Sequence, residues 1–160
     1  MVSIISGNMS IEYFKFEEDF IEENVRCIPM IVRFKLDVCG IKLKLTEWSK
    51  MTVAQRIKLA ESPCYTREEV IAYRKYVQHV VWNHSEQEAS ELQIDNSPSW
   101  AMLTEVPALF QERLKEVSVS VSLSQWQCLS TLQRFALMKL SSSGHESKNF
   151  SKALKEFNLL

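Results

Sequence analysis

Apolar residues fall along this chain in two rhythms, and each rhythm occurs twice. At helical spacing, Ile28, Ile31, Val32 and Leu36 form one stripe, and Val106, Leu109, Phe110 and Leu114 form another. A period of two follows each stripe. Ile41, Leu43 and Leu45 alternate with Lys42 and Lys44, while Val117, Val119, Val121 and Leu123 alternate with Ser118, Ser120 and Ser122. The first rhythm predicts an amphipathic helix and the second a half-buried strand. A single short strand leaves its backbone groups unpaired, so the two copies are expected to pair with each other across a pseudo-twofold axis.

The recurrence extends to letters. Shifted by 78 positions, residues 28–62 align with 106–140 without a gap, and Pro29/Pro107, Leu36/Leu114, Leu45/Leu123, Trp48/Trp126, Gln55/Gln133, Arg56/Arg134 and Leu59/Leu137 are identical. The two prolines fit the first turn of a helix, where a missing N–H costs nothing. Thr104 is a candidate cap for the second such helix, and Gly40 offers a left-handed stop for the first. Thr46 and Ser124 precede the tryptophans as hydroxyl caps, and Thr52-x-x-Gln55 and Ser130-x-x-Gln133 read as capping boxes. Arg56 and Arg134, at matched places in both halves, are expected to be satisfied structural arginines.

A further helix closes each half. Thr66-x-x-Glu69 is a capping box, followed by Val70, Tyr73, Val77 and Val80/Val81; Phe150, Ala153, Leu154 and Phe157 repeat the stripe near the C-terminus. The expected fold is mainly α: duplicated helix–short strand–helix–helix halves about a pseudo-twofold, with a small two-stranded β element. One domain spans 1–160, with a frayed end at 1–10, repeat A at about 11–82, a polar connector at 83–104 packed by Trp100, Met102 and Leu103, and repeat B at about 105–160. Since each half resembles the other's natural partner, two chains could exchange halves.

Composition narrows the function. Hydrophobic residues make up 46% and charged residues 24%, the balance of an ordinary globular domain, and 3 glycines with 4 prolines are few for a turn-rich β fold. The net charge of −1 argues against nucleic acid or an anionic membrane as partner. Charge is nevertheless uneven: residues 11–24 hold six acids against Lys15, and residues 25–60 hold eight bases against Asp37 and Glu47. Such asymmetry can pair two segments within the fold, present a basic face to a partner, or belong to a normally solvated surface. No run approaches the length of a membrane span, and no leader pattern opens the chain. Cys27, Cys39, Cys64 and Cys128 lack disulfide-scaffold spacing, which fits a reduced, cytoplasmic protein.

Motifs for chemistry are missing. There is no Cys-x-x-Cys, His79 and His84 lie five apart on different sides of a helix, and His145 sits in a serine-rich stretch, so no metal site is expected. Glycines for a phosphate loop are lacking. Glu17/Glu18 and Glu22/Glu23 belong to an acidic run, usually a solvated face. The expectation is a non-enzyme without cofactor.

The run Phe14-Lys-Phe-Glu-Glu-Asp-Phe20, then Arg26-Cys-Ile-Pro-Met-Ile-Val-Arg-Phe-Lys-Leu-Asp37, then Gly40-Ile-Lys-Leu-Lys-Leu45 and Trp48, resembles the cyanobacterial nitrate reductase-associated proteins. The resemblance is dense over residues 14–48 and continues thinly at Arg56, Leu59 and Pro63. It implies an accessory role in nitrate assimilation, assisting the maturation or activity of molybdenum-dependent nitrate reductase by protein–protein contact. The alternatives are a carrier for the molybdenum cofactor, which would need an apolar cleft with converging positive groups, and a regulator of nitrate-assimilation genes, which would need a basic stripe. Within the repeat alignment Arg33 faces Gln111, Asp37 faces Lys115, and Lys42 and Lys44 face Ser120 and Ser122. A partner surface is therefore expected at Arg26, Arg33, Lys35, Asp37, Lys42 and Lys44, the other reading being solubilising residues on exposed faces.

Overall fold

The computed structural model describes the backbone of residues 2–6, 9–17, 27–143 and 147–160, with side chains over 13–17, 27–143 and 148–160. Two compact units emerge, residues 1–94 and 95–160, with the boundary inside the polar connector. Eight α-helices and two short antiparallel ladders make up the regular structure among the described residues.

In the first unit, strands Val2–Ser6 (β1) and Met9–Tyr13 (β2) pair from Val2↔Tyr13 to Ser6↔Met9, where the sequence suggested a frayed end. A 3₁₀ turn at Lys15–Glu17 leads toward helix Met30–Cys39 (α1). Pro29 precedes α1 and has no acceptor to cap it. The Glu17 carboxylate does so from thirteen residues upstream, accepting from the Met30 N–H at 2.7 Å and the Phe14 N–H at 3.2 Å. An anion at a helix N-terminus also meets the positive end of the helix dipole. Glu17 is thus buried, not part of a solvated acidic face.

Helix α1 stops at Gly40, which adopts φ 75° and sends its N–H back to the Leu36 carbonyl. A Cβ there would lie 3.0 Å from both the Leu92 carbonyl oxygen and the Ile94 side chain, so glycine is required by space as well as by φ. Strand Ile41–Lys42 (β3) pairs antiparallel with Ser90–Glu91 (β4), and Leu92 N–H extends the ladder to the Gly40 carbonyl at 2.9 Å. Then come Leu45–Lys50 (α2), Val53–Glu61 (α3) and Arg67–Ser85 (α4). The boxes at Thr52/Gln55 and Thr66/Glu69 form as the spacing predicts. Two backbone N–H groups hold the Glu69 carboxyl below its ordinary pKa, Thr66 contributing most and Tyr65 next. The core of this unit gathers Phe14, Val32, Ile41, Trp48, Leu59 and Val77, all essentially inaccessible.

The second unit follows the helix order of the first, without its strands. Helices Ala108–Glu116 (α5), Leu123–Cys128 (α6) and Thr131–Ser142 (α7) begin 78 positions after α1, α2 and α3, and Ser147–Glu156 (α8) closes the unit. Trp126 is fully buried, tilted against Phe110 at 5.3 Å, and donates its indole N–H to the Met102 carbonyl at 2.7 Å. Phe150 meets Phe110 edge-on, and Trp100 meets Phe135 likewise. Arg56 and Arg134 are both bound to backbone carbonyls, Arg56 to Trp48 and Ser49, Arg134 to Trp100 and Leu129.

Several expectations need correction. The run Val117–Leu123 forms no strand, so the ladder expected between the halves does not exist; β3 takes its partner from within its own unit. The second run needs no ladder, because Val117, Ser118 and Val119 send their N–H groups to Leu114 and Lys115 carbonyls in a turn. Ser118, 78 positions after Gly40, is left-handed as well, with φ 57°. Helix α5 starts after Pro107, leaving Thr104 outside it. Helices α2 and α6 start after Lys44 and Ser122, two residues before the expected caps. Leu109 is 43% exposed although it aligns with buried Ile31.

Candidate functional site

Of the six residues expected at a partner surface, Arg26 lies outside the described residues. Lys35 is withdrawn from the surface: it is 3% exposed, and its ammonium donates to the Ala60 carbonyl at 2.7 Å and the Ser62 carbonyl at 2.6 Å. Tyr73 donates its hydroxyl to the neighbouring Leu59 carbonyl at 2.9 Å. Together they satisfy the buried C-terminus of α3, and a cation there suits the negative end of the helix dipole. Arg33 is half-buried and donates through Nε to the Ile28 carbonyl at 3.0 Å. Asp37 is half-buried on the last turn of α1.

Lys42 and Lys44 do reach solvent, and their ammonium groups make no hydrogen bond or ion pair among the described residues. Their placement follows from the backbone. The β3 pleat turns Ile41 inward to 1% exposure and Lys42 outward. Lys44 sits at the start of α2, where the Glu47 carboxylate accepts its backbone N–H at 2.8 Å. A lysine side chain has no acceptor, so this is half of a capping box and leaves the ammonium at liberty. Lys50, also exposed and unpaired among the described residues, stands at the far end of α2.

Apolar surface adjoins these cations in sequence. Leu45 is 60% exposed and Val53 40% exposed, bracketing α2. Three exposed lysines and two exposed aliphatic side chains thus fall within residues 42–53. The aligned positions of the second unit hold Ser120, Ser122 and Cys128 in place of Lys42, Lys44 and Lys50.

Arg74, which the sequence reading missed, anchors this region from behind. Its Nη1 donates to the Cys39 and Gly40 carbonyls at 2.8 and 3.0 Å, and its Nη2 to Glu91 Oε1 at 2.7 Å, tying the end of α1 to β4. Gln78 adds two bonds to the Ala89 backbone. Neither residue carries a local signal, since both act on partners far away in sequence.

His79 bonds Asn83 and His84 bonds Gln55, while His145 lies outside the described residues. All four cysteines are unpaired; burial pushes the Cys39 thiol up to about 11 and the Cys64 thiol up to about 12. Among the described residues no cluster of three potential metal ligands occurs, and no helix is long and apolar enough to cross a membrane.

A family model described as conserved nitrate reductase-associated protein (Nitr_red_assoc) matches residues 13–157, carrying the resemblance of residues 14–48 across both units. Neither curated proteins nor solved structures give a match.

Proposed function

Since the chain belongs to the conserved nitrate reductase-associated protein family, we propose that it is a non-catalytic accessory protein of nitrate assimilation. It binds nitrate reductase by protein–protein contact and assists the enzyme's maturation or activity. Family membership carries the reading, and the exposed, unpaired Lys42 and Lys44 beside Leu45 supply a surface suited to it. The contact is assigned to Lys42, Lys44, Leu45 and Lys50.

An assembly factor must hold an unfinished enzyme and release the finished one, so its affinity must differ between the two states. The test presents purified nitrate reductase, with and without its molybdenum cofactor, to the immobilised chain. Tighter capture of the cofactor-free form is expected. Lys42→Glu with Lys44→Glu should weaken capture at least about tenfold while the far-ultraviolet circular dichroism stays unchanged. Absence of capture of either form would remove the function, and capture indifferent to the double substitution would remove the surface.

A further inference from the structure

The segment after α5 lacks what its counterpart after α1 has. In the first unit the Gly40 N–H turns back into α1, and the Gly40 carbonyl accepts from the Leu92 N–H at 2.9 Å. Bonded pairs alternate along an antiparallel ladder, so Lys42, opposite Ser90, commits both its N–H and its carbonyl to β4. Ser118 and Ser120 stand 78 positions later. Ser118 is left-handed like Gly40, and its N–H turns back to the Lys115 carbonyl at 3.1 Å. The Ser118 carbonyl and both backbone groups of Ser120 bond to nothing among the described residues. The groups that β3 commits to its ladder are the ones this segment leaves open.

In burial the segment already follows a strand's rhythm. From Val117 to Ser122 half-buried valines alternate with exposed serines, the period of a pleated edge. Ser122 is extended, with φ −74° and ψ 161°, and its N–H goes to the Gln125 side chain at 2.9 Å, which closes the open stretch. Residues 117–124 contain no charged residue and no proline. An open edge is ordinarily guarded by such residues against pairing with another chain. The aligned positions of the first unit carry Lys42 and Lys44, so only the second unit's edge is unguarded.

We propose that residues 119–121 pair antiparallel with the same residues of a second copy of the chain, about a twofold axis at Ser120. The segment is its own complement. Ser120 meets the partner's Ser120 and the two exchange both N–H···O bonds, using groups that are free in the single chain. Val119 then lies opposite the partner's Val121, at the non-hydrogen-bonded positions where side chains approach most closely. The same arrangement about Lys42 would set one ammonium against another, which disfavours it. The ladder is short, and Leu123, 37% exposed, flanks it in sequence, so the dimer is weak and depends on concentration. Nothing in the inference depends on nitrate reductase.

Sedimentation velocity of the full-length chain, from low to high micromolar concentration, should show a reversible monomer–dimer equilibrium. Ser120→Lys places the charge of Lys42 at an exposed position and should weaken the dimer at least about tenfold. Ser120→Pro removes the donor and should weaken it likewise. Circular dichroism confirms that the variants fold. Mixing Ser120→Lys with Ser120→Glu should restore the dimer as a mixed pair, a gain that no folding defect imitates. A chain monomeric throughout, or a mixed pair that fails to form, would overturn the assignment. So would a dimer indifferent to Ser120→Lys, the result expected if two chains exchange halves instead.

Discussion

Arg33 and Gln111, 78 positions apart, make the same bond. Each side chain folds back to donate to the carbonyl five residues before it, Arg33 to Ile28 at 3.0 Å and Gln111 to Val106 at 2.7 Å. The positions differ in charge and agree in structural work, because each meets a backbone acceptor left at the entry of its helix.

Arg33→Gln should therefore leave stability within about 0.5 kcal/mol of the parent, whereas Arg33→Ala should cost about 1 kcal/mol by orphaning the Ile28 carbonyl. Urea unfolding of the two variants decides this. Equal losses for both would mean that Arg33 acts through something other than that bond.

Lys35 is expected to behave oppositely to Lys42 and Lys44. Lys35→Met keeps the stem and removes the donor from two carbonyls at the end of α3, and should cost at least about 2 kcal/mol. The same unfolding measurement on the Lys42/Lys44 double variant should show a change within about 0.5 kcal/mol, as expected of exposed side chains without partners.

Gly40 and Ser118 hold equivalent left-handed positions at unequal cost. Ser118→Gly should stabilise by about 0.5–1 kcal/mol, since a Cβ is strained at positive φ. Gly40→Ala should destabilise by more than about 1 kcal/mol, because its Cβ also presses on Leu92 and Ile94. A pair of thermal melts would reveal whether the two changes have opposite signs.

Alkali should unfold the first unit. Burial pushes Tyr13 up to about 12, with Glu17 and Glu61 adding to it, and drives Tyr73 well above its ordinary value. Cys39 at about 11 and Cys64 at about 12 are raised chiefly by burial. The unfolded chain releases these protons from about pH 8.5 to 10, while the folded chain keeps them. The unfolded state then binds fewer protons, so stability falls as pH rises. It should be intact at pH 8 and progressively lost toward pH 12, and Cys64→Ala should flatten the fall between pH 8.5 and 10 in denaturant titrations.

Thiol reactivity should split by position. Cys128 is exposed, while Cys39 and Cys64 are each 1% exposed. At pH 7.5 a maleimide should modify Cys128 within minutes and reach Cys39 and Cys64 only on unfolding. Mass mapping of the labelled peptides gives the answer, and early labelling of Cys64 would contradict its burial.

Much of this architecture was legible because it is written locally. A hydroxyl and a Glu or Gln three residues apart announced α3, α4 and α7, and the periodicity of α4 separated its buried face from the rest. Ser122-x-x-Gln125 carried the same signal for α6, but the nearer Ser124 obscured it. The β3–β4 ladder was hidden for a different reason. Ser90 and Glu91 are both exposed and show no alternation, so only the three-dimensional return of the chain reveals them as partners. Lys35 and Glu17 were misjudged as surface charges because what buries them lies 25 and 13 residues away. The exposure of Lys42 and Lys44, fixed by pleat and cap, was readable; the burial of side chains recruited by distant carbonyls was not.

The end of α3 has a consequence for motion. The last carbonyls of a helix usually face water and open first, one turn at a time. Here Lys35 of α1 and Tyr73 of α4 grip Ala60, Ser62 and Leu59, so this terminus cannot loosen without disengaging two other helices. The end of α3 is thereby enlisted in the cooperative opening of the three helices it joins, so it should exchange its amide protons with them and not ahead of them.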